Sequence, residues 1–224
     1  MHTTYDELAG LMTRMTGDEK HDASATSTLD VIWVLYSTIL RTDPSNPSDP
    51  RRDRFLVSKG HGPMAYYAVL ASAGFLTEEQ LDGFGRFDSP LGYHPDRTLV
   101  PGVEISSGSL GHGIGLATGT ATTLALRGSD ARVIVLVGDA ELDEGSNAEA
   151  IQYAGRAGLG NLTVVVIDNR SAGLGWPGGI GARFAVEGWA AEDVDGRDHD
   201  ALHRAFSRRF AVPNVVVAHT ESKG

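Results

Sequence analysis

Two runs of β-branched apolar residues, Val133-Ile134-Val135-Leu136-Val137 and Leu162-Thr163-Val164-Val165-Val166-Ile167, constrain the fold of this 224-residue chain more than any other feature. Each reads as a strand. Phe55-Leu56-Val57 is a shorter extended piece, and further strands are expected at 190–194 and 214–218. Helical patterns fall between them, near 146–157 and 198–210, with a helix of small residues from Leu110 to Leu126. Strands that alternate with helices imply an α/β fold, a mostly parallel sheet flanked by helices on both faces.

The N-terminal part is helical. Tyr5 to Met15 has helical spacing, and Ser27 or Thr28 stands where it could cap a helix through Val31, Ile32, Val34, Leu35 and Ile39. Residues 42–53, with three prolines, form an exposed loop. Pro63 suits the first turn of a helix that Gly74 ends, and a short helix starts at Thr77, capped with Glu79 or Gln80. Long irregular stretches are expected at 83–108 and 169–183, lengths more often functional than neutral. No repeat or linker interrupts the chain, so residues 1–224 read as one domain.

Composition removes several function classes. A formal charge of −10 argues against nucleic acid or an anionic membrane as the main partner, and requires any polyanionic ligand to be held by a metal and backbone N–H groups. Cysteine is absent, which excludes disulfides, a thiolate nucleophile and cysteine-based zinc within these residues. No apolar run reaches the ~18 residues of a membrane span. The first residues lack the basic and apolar regions of a signal peptide, so a soluble, cytoplasmic protein is expected.

Asp139 and Asn169 each stand at the end of one of the two main strands, at the edge where open α/β sheets bind ligands. A carboxylate and an amide oxygen are hard ligands suited to Mg²⁺ bridging to phosphates. Spacing alone equally allows a helix cap at Asp139 and a turn at Asp168-Asn169. Other patterns are weaker. Gly173-Leu174-Gly175-Trp176-Pro177-Gly178 fits GxGxxG, but Pro177 lies inside it and Gly179-Ile180-Gly181 follows, so the required helix is not evident. His199 and His203 have the spacing of a helical zinc pair without a third ligand, and Asp143-Glu144 are adjacent residues that point in different directions on a helix.

Gly138-Asp139-Ala140-Glu141 with Glu144-Gly145, followed by Asp168-Asn169, resembles the diphosphate-and-metal motif of thiamine diphosphate enzymes. Ser58-Lys59-Gly60-His61, Gly92-Tyr93-His94-Pro95, Pro101-Gly102-Val103-Glu104 and Gly108-Ser109-Leu110-Gly111 are similar, in order, to segments of the transketolase family. His21, Val194-Asp195-Gly196 and His219-Thr220 with Lys223-Gly224 extend the likeness over nearly the whole chain.

The resemblance implies a specific site. Asp139 and Asn169 would bind Mg²⁺ or Ca²⁺ through side-chain oxygens and Ser171 through its carbonyl. Gly108 and Leu110 would line the cleft of thiamine diphosphate, with Gly138 and the N–H of Ala140 near its diphosphate. Glu144 would contact the cofactor-activating glutamate of a partner, and His21, His61 and His94 would face the reacting thiazolium carbon.

The likeness covers only the diphosphate-binding domain. It therefore implies the N-terminal subunit of a split transketolase, assembled two-and-two with a C-terminal subunit that carries the pyrimidine-binding domain. Such an enzyme moves a two-carbon ketol unit from a ketose (phosphate) donor to an aldehyde acceptor. Alternatives are delivery of that unit to a carrier protein, or a non-catalytic scaffold that has lost the cofactor. Departures from the family pattern are Ala140 for glycine, Arg170-Ser171-Ala172 after Asn169, His112 for glutamine, Arg197 for histidine, and His21-Asp22-Ala23-Ser24 without the family's proline and glycines.

Overall fold

Strands β1 (Arg54–Val57), β2 (Val133–Gly138), β3 (Leu162–Asp168), β4 (Ala190–Asp195) and β5 (Asn214–His219) form one sheet in the order β1-β2-β3-β5-β4. Every neighbouring pair is parallel, as the alternation of strands and helices implies. The computed structural model describes Met1, residues 3–15 and residues 26–221. In register, Gly138 lies opposite Ile167 and Asp168 opposite His219, so the strand ends that precede Asp139 and Asn169 share one edge.

The β-branched runs bury both faces of the sheet. Ile134, Leu136, Val165, Ile167 and Val216 pack beneath α1 (Leu8–Thr13), α2 (Leu29–Val34), α3 (Met64–Ser72) and α8 (His199–Ser207). Val133, Val135, Val137, Val164, Val166 and Val217 face α5 (Gly113–Leu126), α6 (Gly145–Ala157) and α7 (Ile180–Ala185). The remaining helix, α4 (Glu78–Leu81), is the short one expected after Thr77; its cap is completed by Gln80.

Several boundaries differ from the sequence reading. The helix expected from Leu110 begins at Gly113, because Gly111 holds a φ of +88° that no helix contains. The helix expected to residue 210 ends at Ser207, with Arg208 already extended. Helix α7 begins inside the stretch read as irregular and runs two residues past it; glycines at 173, 175, 178, 179 and 181 mask the pattern. Thr28 precedes α2 without making a side-chain capping bond, and α2 continues through Leu35–Ile39 as a wider turn closed by Leu40 N–H on the Leu35 carbonyl, 2.8 Å.

In α5 the hydroxyls of Thr118, Thr120, Thr122 and Thr123 each donate to the carbonyl four residues earlier. Among the described residues no helix is long and apolar enough to cross a membrane.

Asp30, at the start of α2, is 4 % exposed and collects three partners. The Tyr5 hydroxyl donates to it at 2.7 Å, His199 Nε2 lies at 2.8 Å, and the Arg197 guanidinium pairs with its other oxygen. Arg197 also pairs with Glu221 and donates to the Thr26 carbonyl. The arginine that departs from the family pattern thus ties the β4–α8 connection to the N-terminal helices. Arg197→Met should cost about 3 kcal/mol by leaving a buried carboxylate without its cation, read as a lower urea midpoint with an unchanged slope.

Candidate functional site

At the edge where the strands end, β1 and β2 part company. The chain leaving β1 turns through Ser58-Lys59-Gly60-His61 toward α3 on one face, and the chain leaving β2 turns through Asp139–Asp143 toward α6 on the other. Neighbouring parallel strands whose chains depart to opposite faces open a crevice between them, the usual ligand position in such sheets.

Asp139 lies on the crevice floor, 1 % exposed. Its Oδ1 accepts from Ala140 N–H at 2.9 Å and the Ser171 hydroxyl at 2.6 Å, and its Oδ2 from the N–H groups of Ser171 at 2.6 Å and Ala172 at 3.1 Å. Arg170 makes this possible by adopting a left-handed φ of 58°, which aims the following amides back at the carboxylate. Asp139 also occupies the capping position of the turn after β2, so the capping role is present as well. Asn169 beside it is also 1 % exposed, yet neither Oδ1 nor Nδ2 has a hydrogen-bond partner. A buried amide left without partners costs about 1–3 kcal/mol. An unpartnered amide oxygen next to a buried carboxylate offers two hard-oxygen donors, so this donor set fits Mg²⁺ or Ca²⁺.

The other expected residues gather around the same crevice. The rings of His61 and His94 meet edge to face with centroids 5.4 Å apart. Gly108, at φ +127°, leaves room for His94: a Cβ there would come within 2.9 Å of His94 Cδ2. A Cβ on Gly60 would stand 2.8 Å from the Gly108 nitrogen, so the two loops interlock through missing side chains. Leu110 is half-buried, and the exposed Glu144 backs Gly111 with its Cβ. The Lys59 stem runs across Gly138, 3.5 Å from where a Cβ would be. Ala140 directs its N–H at Asp139. His21 lies outside the described residues.

Two carboxylates carry more than the sequence reading assigns them. Glu141, 1 % exposed, accepts from the Ser58 hydroxyl, from Gly111 N–H at 2.9 Å and from Gly138 N–H at 3.4 Å. Burial pushes its carboxyl above the usual carboxylate range, opposed by those donors and by the charge of Lys59. Asp143 takes the N–H groups of Gly173 and Leu174 at 2.9 and 3.2 Å, holding the loop after Asn169, while Arg183 stacks on Trp176 at 3.6 Å. The available signal is position: both acids follow Asp139 within a single turn at the ligand edge.

The weaker patterns find ordinary roles. No helix opens at Gly173, since α7 starts at Ile180. His199 serves Asp30, and His203 Nδ1 lies 3.0 Å from the Thr38 hydroxyl.

The structure thus holds a buried Asp–Asn pair at the sheet edge and two imidazoles in ring contact, and comparison with known proteins supplies the class. Residues 15–220 match the family model described as the transketolase thiamine diphosphate binding domain. The protein called ferredoxin fas2 of Rhodococcoides fascians is 55 % identical over 206 residues, 92 % of this chain and 68 % of that protein. One of the subunits of the apulose-4-phosphate transketolase of Phocaeicola vulgatus is 32 % identical, over 89 % of this chain and 74 % of that one. The solved transketolase of Leishmania mexicana superposes with a TM-score of 0.79 at 26 % identity, covering 98 % of this chain. The chain therefore belongs to the transketolase family, as its thiamine diphosphate-binding domain. It spans 37 % of the Leishmania enzyme. The ferredoxin name does not carry over through these residues: iron–sulfur clusters hang on cysteine thiolates, and there are none here.

Gly113, the first residue of α5, is the most crowded glycine at this edge. A Cβ there would fall 2.2 Å from Ser58 Cβ and Oγ. Gly113→Ala should cost about 1–3 kcal/mol through overpacking, measured by thermal or urea unfolding, and should shift the chemical environment of His61 in an NMR spectrum.

Proposed function

We propose that this chain is the diphosphate-binding subunit of a thiamine diphosphate-dependent transketolase-like enzyme that transfers a two-carbon ketol unit from a ketose or ketose-phosphate donor to an aldehyde acceptor. The observation that carries the reading is the unpartnered Asn169 amide beside buried Asp139 on the floor of the crevice. When bound, thiamine diphosphate supplies the nucleophilic carbon and electron sink for breaking and making the carbon–carbon bond. The chain's own part is to hold it and to handle protons. Asp139 and Asn169 would coordinate Mg²⁺ with side-chain oxygens and Ser171 with its carbonyl, offsetting diphosphate charge on a protein already at −10. Gly108, Leu110, Gly138 and Ala140 would line the cofactor's bed. His61 and His94, in ring contact, would orient substrate hydroxyls and relay protons; His21 would join them on family grounds.

The same reading calls for a second polypeptide with the pyrimidine-binding domain, to which Glu144 would reach. Support comes from exposed apolar side chains on α5 and α6: Leu116, 50 % exposed, lines one surface pocket with Tyr153 of α6, at 57 %, and Leu126 at the end of α5 is 85 % exposed. Relatives named as single subunits of transketolases imply such partners for themselves. A two-and-two assembly is the proposed form. Transfer of the unit to a carrier protein would use the same bed. The buried Asp–Asn pair favours either enzyme over a scaffold that has lost the cofactor.

Calorimetric titration of thiamine diphosphate with Mg²⁺ into the chain and its pyrimidine-domain partner should show binding that EDTA abolishes. Asp139→Ala or Asn169→Ala should weaken it by at least about 100-fold, on the scale of a lost metal ligand. Binding indifferent to both substitutions would overturn the assignment. The chain alone should show no turnover, so full activity without a second polypeptide would refute the split-subunit reading.

A further inference from the structure

At the sheet edge that holds Asp139, the proposed mechanism leaves one buried acid unused. Glu141 is 1 % exposed, makes no ion pair with a guanidinium among the described residues, and sits two residues from Asp139 in the turn that follows β2. A buried carboxylate is costly to retain unless something depends on its charge. Its contacts run to three of the segments that build the crevice. Oε1 accepts from Ser58, the residue that begins the loop to His61, and from the N–H of Gly111, which closes the loop of Gly108 and Leu110. Oε2 faces Gly138 N–H at 3.4 Å. The Glu141 carbonyl accepts from Asn147 Nδ2 at 2.6 Å, which fixes the turn against α6 behind Glu144.

Ser58 passes the link onward. Its hydroxyl accepts from Gly113 N–H at 3.0 Å while donating to Glu141. Gly113 opens α5, and the first N–H groups of a helix have no partner inside it. Glu141 therefore acts on the start of α5 through Ser58, placing negative charge where the helix dipole favours it. The loops also meet closely at these points: a Cβ on Gly111 would fall 2.7 Å from Glu144 Cβ, and one on Gly113 2.2 Å from Ser58 Cβ.

We infer that Glu141 is a positioning residue: through Ser58, Gly111 and Gly138 it clamps the His61 loop, the Gly108–Leu110 loop and the metal-binding turn into one preorganised crevice. This rests on the functional reading above for its consequence, and on hydrogen bonds alone for its geometry. Glu141 touches neither substrate nor metal in this assignment. Its effect is on the binding of the diphosphate end, by removing the need to order three loops at the moment of binding.

Glu141→Gln tests this with little change in volume. Gln keeps one acceptor for Ser58 and Gly111 but turns an N–H₂ toward Gly138 N–H, and charge-assisted bonds become neutral ones. In the full chain, hydrogen exchange of the amides at 58–62 and 108–113 should quicken by about tenfold or more, the scale of one charged hydrogen bond. Amides of β3 and β5 should stay as protected as before. Ser58→Ala should reproduce the local effect. With the partner subunit present, the dissociation constant of thiamine diphosphate should rise by a similar factor. Unchanged exchange in both loops would overturn the inference. So would a uniform rise across the sheet, which marks general destabilisation. If the unsubstituted pair of subunits fails to bind thiamine diphosphate, the functional reading falls, and the exchange result still decides the role of Glu141.

Discussion

The last rung between β1 and β2 governs this molecule. The carbonyl of Leu136 accepts from both Ser58 N–H, at 2.9 Å, and Lys59 N–H, at 3.2 Å, so β1 is pinned to β2 at the very point where it ceases to be a strand. One residue pair further on, Asp139 N–H bonds the Ile167 carbonyl and anchors β2 to β3 in the same way. Between these anchors the two chains turn to opposite faces. The crevice is therefore a geometric consequence of parallel pairing and helix placement, and the polar residues are delivered to it by strand ends that cannot drift. Residues on rigid elements hold a constellation more tightly than loops could.

Within that frame, stability and function pull apart. Asn169 forgoes hydrogen bonds in a place closed to water, and Arg170 accepts a left-handed backbone. Both are unfavourable for folding and both lie beside Asp139, where local strain commonly marks function. The surrounding architecture offsets them. Valines and isoleucines fill both faces of the sheet, and the loops lock by glycine-to-side-chain contact, which leaves few competing arrangements.

Much of this is legible in the chain. The unbroken runs at 133–137 and 162–167 announce strands, and Asp139 and Asn169 follow them so directly that their shared edge needs no tertiary information. His61 and His94 meet in ring contact, although 33 positions separate them. What escapes reading depends on long-range contact. Ser58 and Glu141 are 83 positions apart, and no local pattern links a serine after one strand to a glutamate after another. Helix α7 is hidden by the glycines before it, and the hold of Asp143 on Gly173 and Leu174 spans some thirty residues. Arg197 reads as a lost histidine; its value appears only when Asp30 and Glu221 come into reach.

The threonines of α5 have one more consequence. Each of the four returns its hydroxyl to a carbonyl of its own helix, so the helix asks no hydrogen bond of its surroundings on their account. Its outer side can then be wetted or covered without stranding a hydroxyl. Covering or uncovering this helix leaves its own hydrogen bonds as they are, so the threonines set no condition on what lies against it.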